Sequence, residues 1–504
     1  MFHLNQRASG VLLHPTSLPG AHGSGDLGPE GHGFVRWLHD AGQRWWQMLP
    51  IGPLGYGNSP YSAQSAFAGN PLLIGVDGLV EAGLLPRRAA AEVPQFPQGR
   101  VDYPAAAAWR GRMLRTAFTA FRRNPAYDRF VEENSGWLED FALFSALKRA
   151  HQETAWTDWE IGVRAREPKA LAAARERLRE ELELHRFEQF LFEEQWQSLR
   201  RHAASLGVGL IGDMPIYVAH DSAEVWAHPE VFFLDDEGRP TAVAGVPPDY
   251  FSATGQRWGN PLYRWDALAR DGFRWWVQRF ENALHRFDAV RLDHFIGFTR
   301  YWEVPANEAT AMNGSWKPGP GAALFEAVRA AHGSLPLIAE DLGAVTPEVT
   351  ALRDRLGLPG IKLLQFAFGT DPQAPTFLPY NYARNSVAYT GTHDNDTTAG
   401  WFQEKGSAQR SAAQSEKERR AVLDYLGSDG REIHWDMIRG VWTSVANVAI
   451  VPMQDLLGLG TEARMNLPGT ATGNWEWRLR PGQPDARIAQ RLRELTRTSG
   501  RSAA

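Results

Sequence analysis

The chain has 504 residues and a net charge of −5, with 43% hydrophobic and 22% charged residues, which is typical of a folded globular protein. This composition excludes a disordered, collagen-like or coiled-coil chain, and the charge argues against nucleic acid or an anionic membrane as the main partner. No apolar run approaches the ~18 residues of a membrane span, and the N-terminus lacks a secretory-signal pattern. With no cysteine, disulfides, thiolate metal sites and cysteine nucleophiles are excluded. We expect a cytoplasmic protein that is a monomer.

Tryptophan is unusually frequent, with 20 in the chain. A large aromatic side chain most often packs in a core, and we expect this for most of them. Flat aromatic faces also stack on the apolar faces of sugar rings. The composition therefore raises carbohydrate as a ligand class.

Eight short apolar runs separated by amphipathic segments are predicted as strands. Runs without polar alternation are typical of parallel strands that are buried on both faces. Eight such strands alternating with helices predict a closed (β/α)8 TIM barrel, while an open doubly wound sheet stays an alternative. The predicted strands are Gly10–Leu13, Trp45–Pro50, Gly209–Ile211, Ala289–Leu292, Leu335–Ala339, Lys362–Phe366, Ser386–Tyr389 and Val448–Val451.

Two insertions interrupt the barrel pattern. About 155 residues separate the second and third runs, against ~30 for a plain βα unit, so a large helical insertion is predicted there, with helices over Phe130–Ala150 and Pro168–Leu206. Residues 214–271 contain six prolines and predict a loop-rich insertion, and a long loop in a compact domain is usually functional. The predicted division is 1–68 for barrel strands 1–2, 69–157 for the helical insertion, 158–213 for helix 2 and strand 3, 214–271 for the loop-rich insertion, and 272–504 for strands 4–8 and C-terminal helices.

Carboxylates follow four of the predicted strands. Asp213, Asp293, Glu340 and Asp394 each come at or just after a run, and strand ends of a barrel converge on its active-site face. Such acids fit glycoside cleavage, which needs a carboxylate nucleophile and a carboxylic acid as proton donor. With two histidines at the same rim, His294 and His393, they also fit a metal site.

Structural roles are an alternative for each acid taken alone. Asp213 or Asp341 is as readily a helix cap or a turn residue as a functional group. Arg291 and Asp293 share one side of a strand, which indicates either an internal ion pair or an arginine that positions a nucleophile. Four strands that each end in an acid favour a functional role for these residues over a structural one.

Nine motifs occur in a fixed order between Gly10 and about Arg478. They are GPLGYGNSPY (52–61), SAFAGNP (65–71), QFLF with QW (189–196), GDMPIYV (212–218), PPDYF with GQRWGNP (247–261), RLDHF (291–295), AEDLG (339–343), GTHDNDT (391–397) and RMNLPG (464–469). Each motif is weak alone, but the ordered set resembles the 4-alpha-glucanotransferases called amylomaltases or disproportionating enzymes, in the α-amylase clan.

The resemblance implies transfer of α-1,4-glucan segments between maltooligosaccharides through a covalent intermediate. Asp293 matches the family's nucleophile, Glu340 its general acid/base, and Asp394 the carboxylate that holds hydroxyls of the distorted sugar. Arg291 is expected to keep Asp293 ionised, and Glu340 to have a raised pKa from burial or acidic neighbours. Retention places the first two carboxyl groups ~5–5.5 Å apart. No cofactor and no metal are expected.

The resemblance also implies that residues 249–260 of the loop-rich insertion form a lid over the active site, and it implies a set of substrate-binding residues. These are Tyr56, Tyr61, Asp213, Asp249, Tyr250, Gln256, Trp258, Asn260, Arg291, His294, His393 and Asn466. The chain departs from the commoner pattern at Ile296, where many relatives have arginine, and at Asn58, where aspartate is frequent. Both departures concern acceptor preference rather than the reaction.

Three other functions remain open at this point. An amylase-like hydrolase would use the same three acids, with water as the acceptor. A metal-dependent barrel enzyme would lose activity to a chelator. A catalytically inactive glucan-binding protein would bind without turnover.

Overall fold

The computed structural model describes residues 2–248, 252–406 and 410–502, and a closed barrel of eight parallel strands lies at its centre. The barrel order is β1-β12-β11-β10-β9-β6-β3-β2. The strands of these residues are β1 (Ala8–Leu12), β2 (Trp45–Gln47), β3 (Gly209–Pro215), β4 (Ala242–Val246), β5 (Gln256–Pro261), β6 (Ala289–Asp293), β7 (Arg300–Pro305), β8 (Ser315–Pro318), β9 (Leu337–Ala339), β10 (Gly360–Leu363), β11 (Ser386–Tyr389) and β12 (Val448–Pro452).

The predicted (β/α)8 TIM barrel is confirmed, and each of the eight predicted runs overlaps a barrel strand. Some strand ends differ from the predicted ones, because the side chains there do not distinguish a strand from a helix. The run predicted over Lys362–Phe366 leaves the sheet after Leu363 and continues as a 3-10 helix over Leu364–Phe368. The apolar character persists because these residues pack at the barrel rim, so periodicity could not mark the strand end.

Helices surround the barrel and fill its long connections. None of those in the described ranges has the length and apolar character that crossing a bilayer requires. The α-helices of these ranges are Pro29–Asp40, Val76–Glu81, Arg87–Ala91, Tyr103–Ala120, Pro125–Glu133, Ser135–Ala150, Ile161–Arg164, Pro168–Arg177, Arg179–Ser205, Ala223–Ala227, Trp265–Arg270, Arg274–Arg286, Ala322–His332, Pro347–Leu356, Thr398–Gln403, Ala412–Leu426, Ile433–Trp442, Met453–Leu456 and Ala486–Thr498.

The connection between β2 and β3 is largely helical, with two breaks that the sequence pattern did not predict. The helix predicted over Phe130–Ala150 is divided at Asn134, whose side-chain amide donates to the Phe130 carbonyl at 2.9 Å. The one predicted over Pro168–Leu206 is divided at Leu178. Breaks of one residue leave the apolar stripes continuous, so the periodic signal does not reveal them. The domain boundaries themselves stay predictions.

The proline-rich segment after β3 contains sheet as well as loop. β4 and β5 join β7 and β8 in an antiparallel sheet of order β5-β4-β7-β8. Half of this sheet comes from Arg300–Pro318, beyond the predicted insertion. Prolines 261, 305 and 318 each end a strand, where a missing N–H costs no ladder bond.

Most tryptophans pack in the core, as composition predicts. Trp45, Trp46, Trp196, Trp276 and Trp442 are among those with less than 2% exposure. Trp258 is different, because 38% of it is exposed. It lies on β5, in the predicted lid.

Arg501, near the C-terminus, forms hydrogen bonds at the N-terminal end of the barrel. Its side chain is 1% exposed and donates to carbonyls that include Trp442 (2.7 Å), Ala8 (2.9 Å) and Ala446 (3.0 Å). Burial, followed by the neighbouring positive charge of Arg7, lowers the Arg501 pKa to about 9. The carbonyl of Trp442 ends a helix, and helix C-termini favour cations.

Arg501→Ala is expected to lower the midpoint of thermal unfolding by several degrees, because it leaves several buried carbonyls without their donor, at a cost of about 3 kcal/mol. Differential scanning calorimetry measures the change. Arg497→Ala, at an exposed position on the preceding helix, is the control and should leave the midpoint within one degree or so of the parent. Equal midpoints for all three proteins would show that the tail contributes nothing.

Candidate active site

Asp293 and Glu340 lie at the ends of two paired barrel strands. β6 and β9 are parallel neighbours, with Leu292 opposite Ala339, so each acid is the next residue along its chain. The Glu340 N–H donates to the Leu292 carbonyl at 3.1 Å, and the Glu340 carbonyl accepts from the Phe295 N–H at 3.0 Å. Backbone hydrogen bonds therefore hold the two acids side by side at the C-terminal rim, where active sites of such barrels lie.

The carboxyl group of Glu340 is buried, with the residue 9% exposed. Burial raises its pKa to about 8, and the negative charges of Asp293 and Asp341 add to the increase. Arg291 opposes it, as does the His294 N–H, which donates to Glu340 Oε2 at 2.7 Å. A glutamate near pKa 4.3 would be ionised at neutral pH. Glu340 instead keeps its proton and can donate it.

Arg291 lies between two carboxylates. Its Nη1 is 2.9 Å from Asp293 Oδ1 and 2.7 Å from Asp213 Oδ2. Asp213 has a fully buried side chain that also accepts from the Tyr61 hydroxyl at 2.8 Å. Burial raises the pKa of Asp213, and the Arg291 charge opposes that rise. Asp293 keeps 28% of its side chain exposed, so it is the member of this group that faces the barrel mouth.

Asp394 lies on the loop after β11, with 45% of its side chain exposed. Asn466 donates from Nδ2 to Asp394 Oδ1 at 2.6 Å, and His393 Nε2 lies 3.4 Å from Oδ2. Arg464 donates to the Asp394 backbone carbonyl at 2.6 Å. Asn466 and Arg464 thus hold the loop in place, while the Asp394 carboxylate stays accessible to solvent.

Tyr61 connects the Asp394 loop to the other acids. Its ring stacks on His393, with centroids 5.1 Å apart and planes 16° apart, and its hydroxyl donates to Asp213. Burial raises the Tyr61 pKa well above its usual value, and the charges of Asp213, Asp293 and Asp394 contribute. Tyr61 bonds to Asp213 and stacks on the residue that precedes Asp394, so both acids border the space around this ring.

His294 and Trp258 form an apolar edge of this space. Burial lowers the His294 pKa to about 4, so the ring is neutral at pH 7, and its Nε2 has no hydrogen-bond partner among the described residues. The Trp258 ring meets it edge-on at 4.8 Å, and its N–H donates to Gln256 Oε1 at 3.1 Å. β5 therefore projects an aromatic side chain over the rim.

Four predicted residues remain, and two of them lie outside the described part of the chain. Asn260 donates from Nδ2 to the Val218 carbonyl at 2.9 Å, which ties β5 to the segment after β3. Tyr56 is 81% exposed on its loop. Asp249 and Tyr250 lie outside the described residues.

Sequence reasoning did not single out His14 or Arg464. His14 follows β1, so the rule that polar side chains after barrel strands reach the active-site face could have found it. Burial and the neighbouring His393 lower the His14 pKa to about 3. Arg464 stands in a quoted motif, but no local pattern indicates that its partner is the Asp394 carbonyl.

Among the residues that the structure describes, no group of three or more His, Asp or Glu side chains is arranged to hold a metal ion. A buried, protonated glutamic acid beside an ion-paired aspartate can instead donate a proton and supply a nucleophile. Together with a third carboxylate on a (β/α)8 barrel, this pair defines a glycoside-bond-cleaving barrel enzyme.

Comparisons with known proteins support this class of enzyme and point to one family within it. The profile of the 4-alpha-glucanotransferases, glycoside hydrolase family 77, matches residues 13–484. The 4-alpha-glucanotransferase of Thermus thermophilus is 52% identical over 509 residues, covering 98% of this chain and 99% of that protein. The chloroplastic/amyloplastic one of Solanum tuberosum is 43% identical, covering 99% and 87%. The structure of Streptococcus agalactiae amylomaltase in complex with acarbose matches with a TM-score of 0.93 and 38% identity, covering 99% of this chain and all of that one.

The chain belongs to the 4-alpha-glucanotransferase family, glycoside hydrolase family 77, in the α-amylase clan. Its activity is the transfer of α-1,4-glucan segments by a retaining double displacement. The activity predicted from the motifs is therefore confirmed.

Proposed function

We propose that Asp293 is the nucleophile and Glu340 the general acid/base of this transfer. In the first step protonated Glu340 gives its proton to the glycosidic oxygen, and a carboxylate oxygen of Asp293 attacks C1. The C1–O bond to the leaving sugar breaks as the C1–Asp293 ester bond forms. The observation that carries this assignment is the pairing of a buried Glu340, pKa about 8, with a partly exposed and ion-paired Asp293 on the adjacent strand.

In the second step the roles reverse. Glu340, now ionised, removes the proton from the 4-hydroxyl of an acceptor glucan, and the acceptor oxygen attacks C1 and releases Asp293. Two inversions give net retention. A carboxyl separation of ~5–5.5 Å stays part of the proposal.

Asp394 is proposed to hold sugar hydroxyls at the cleavage site. Its exposed carboxylate, fixed by Asn466 and close to His393, supports this role. Asp213 is fully buried against Arg291 and Tyr61. We therefore propose that Asp213 influences the substrate through those two partners.

The remaining substrate contacts are proposals on the same footing. Tyr61, Trp258, His294 and His393 offer ring surfaces around the acids, and Gln256, Asn260, Asn466 and Arg291 offer polar groups. Tyr56 is proposed as a more distant glucan contact, and Asp249 and Tyr250 are proposed as glucan contacts too. An aromatic lid that excludes water favours a sugar acceptor over hydrolysis. Maltooligosaccharides as substrates, a monomeric state and a cytoplasmic location also stay proposals, and sedimentation analysis tests the second.

Incubation with maltotriose tests the proposed reaction. Transfer should give glucose together with a ladder of longer maltodextrins, and reducing ends should stay constant, because each bond broken is replaced by another. Chromatography of the products and a reducing-end assay measure both quantities. Shortening alone, with steadily rising reducing ends, would assign hydrolysis instead.

A further inference from the structure

Asp341 follows Glu340 directly, but its partners lie away from the barrel mouth. Successive side chains of an extended segment point to opposite faces. Arg353, on helix Pro347–Leu356, donates from Nη1 to Asp341 Oδ2 at 2.5 Å. Asp341 is only 9% exposed. It is therefore a buried acid that the transfer reaction does not itself use.

Asp341 extends a short strand pairing. β9 and β10 share one registered pair, Ala339 with Gly360, whereas β10 and β11 share four. The next N–H along β10, that of Ile361, donates to Asp341 Oδ1 at 2.9 Å. A side-chain carboxylate thus supplies a hydrogen bond between the two strands just where Glu340 leaves the sheet.

The absence of a side chain at Gly360 leaves room for this carboxylate. A Cβ atom at position 360 would lie 2.5 Å from Asp341 Oδ2 and 2.7 Å from Oδ1, well inside van der Waals contact. The φ angle of Gly360 is not in the positive region, so backbone conformation does not require the glycine. The close approach of Asp341 requires it.

Glu340 is consequently held from two sides. On the β6 side its N–H and carbonyl bond to Leu292 and Phe295, and on the β10 side its neighbour Asp341 is anchored. Its carboxyl oxygens accept from backbone N–H groups of His294 at 2.7 Å and Leu342 at 3.1 Å. A displacement of ~1 Å at a reacting group can cost about 100-fold in rate.

We propose that Asp341, seated against Gly360 and paired with Arg353, is a positioning residue that fixes Glu340 for proton transfer. The inference rests on the assignment of Glu340 as the acid/base. Asp341 also places a negative charge beside Glu340 and raises its pKa. The other charged groups around Glu340 are Arg291 and Asp293 on β6, while Arg353 and Lys362 face Asp341.

Two substitutions test the positioning role. Asp341→Asn keeps an acceptor for Ile361 but loses the charge, so kcat for maltotriose should fall about 10- to 100-fold with little change in KM. The basic limb of the kcat/KM–pH profile should move to lower pH, since a charge that keeps Glu340 protonated is gone. Gly360→Ala should lower kcat similarly with both acids intact, because the methyl group displaces Asp341.

Asp354→Asn is the matched control. Asp354 pairs with the same Arg353 at 2.7 Å but is 60% exposed, so its variant should keep the parent kcat and pH profile. Parent-like kcat and an unmoved basic limb in the Asp341 and Gly360 variants would overturn the inference. Should Asp341→Asn fail to fold, Gly360→Ala decides alone. Glu340→Gln is assayed in parallel, and turnover in that variant would overturn the acid/base assignment instead.

Discussion

Asp293→Asn is expected to abolish disproportionation of maltotriose, with kcat reduced by about 10⁴-fold or more. An amide carries no charge with which to attack C1, so the covalent step is lost. Binding should survive, because Arg291, Tyr61 and the Asp394 loop keep their other partners. Product chromatography measures turnover, and calorimetric titration with maltoheptaose measures binding.

Asp288→Asn is the matched control for this variant. Asp288 directly precedes the same strand β6 at its opposite end, where it accepts from the Leu210 N–H at 2.9 Å. Its variant should keep turnover within a few-fold of the parent, as a substitution outside the site does. Substantial turnover in Asp293→Asn would contradict the nucleophile assignment.

Activity is expected to decline as the pH rises through about 8. Glu340 acts first as an acid, so only its protonated form starts the reaction, and burial raises its pKa to about 8. The protonated fraction is full below that pH and is lost above it, which sets the basic limb of kcat/KM for the free enzyme. A pH series of initial rates with maltotriose measures the limb.

Glu340→Gln separates this residue from other groups that titrate. The variant should lose turnover of maltotriose by about 10³-fold or more, because Gln cannot donate the proton. With an α-maltosyl fluoride donor it should still release about one equivalent of fluoride per enzyme, since fluoride leaves without a proton. An unchanged basic limb in this variant, with appreciable turnover, would assign the acid to another residue.

The barrel strands were the most predictable part of the molecule. Apolar runs such as Ser386–Tyr389 carry a local signal, because strands buried on both faces have no polar alternation. Because the strands of a barrel end at a common rim, polar residues that follow them, such as Asp293 and Glu340, are expected to lie together there. Ordered motifs supplied the family, which single residues could not.

The sheet around the lid and the contacts of the buried groups could not be predicted. β7 pairs with β4 across more than 50 residues of chain, and β8 joins the sheet through β7. Periodicity carries no information about partners so distant. The contacts of Arg501 could not be predicted for the same reason, because its carbonyl acceptors lie in distant parts of the chain. The composition of the small, polar residues 498–504 predicts a frayed tail. Arg501 instead anchors the described part of this segment, up to residue 502, to the barrel.

The covalent intermediate tests the central claim most directly. Glu340→Gln incubated with α-maltosyl fluoride should accumulate an ester, because the first step needs no acid and the second lacks its base. Mass spectrometry of the acid-quenched protein and its peptides should show one maltosyl group on the peptide that contains Asp293. An adduct on any other residue, or unmodified protein despite fluoride release, would contradict the account.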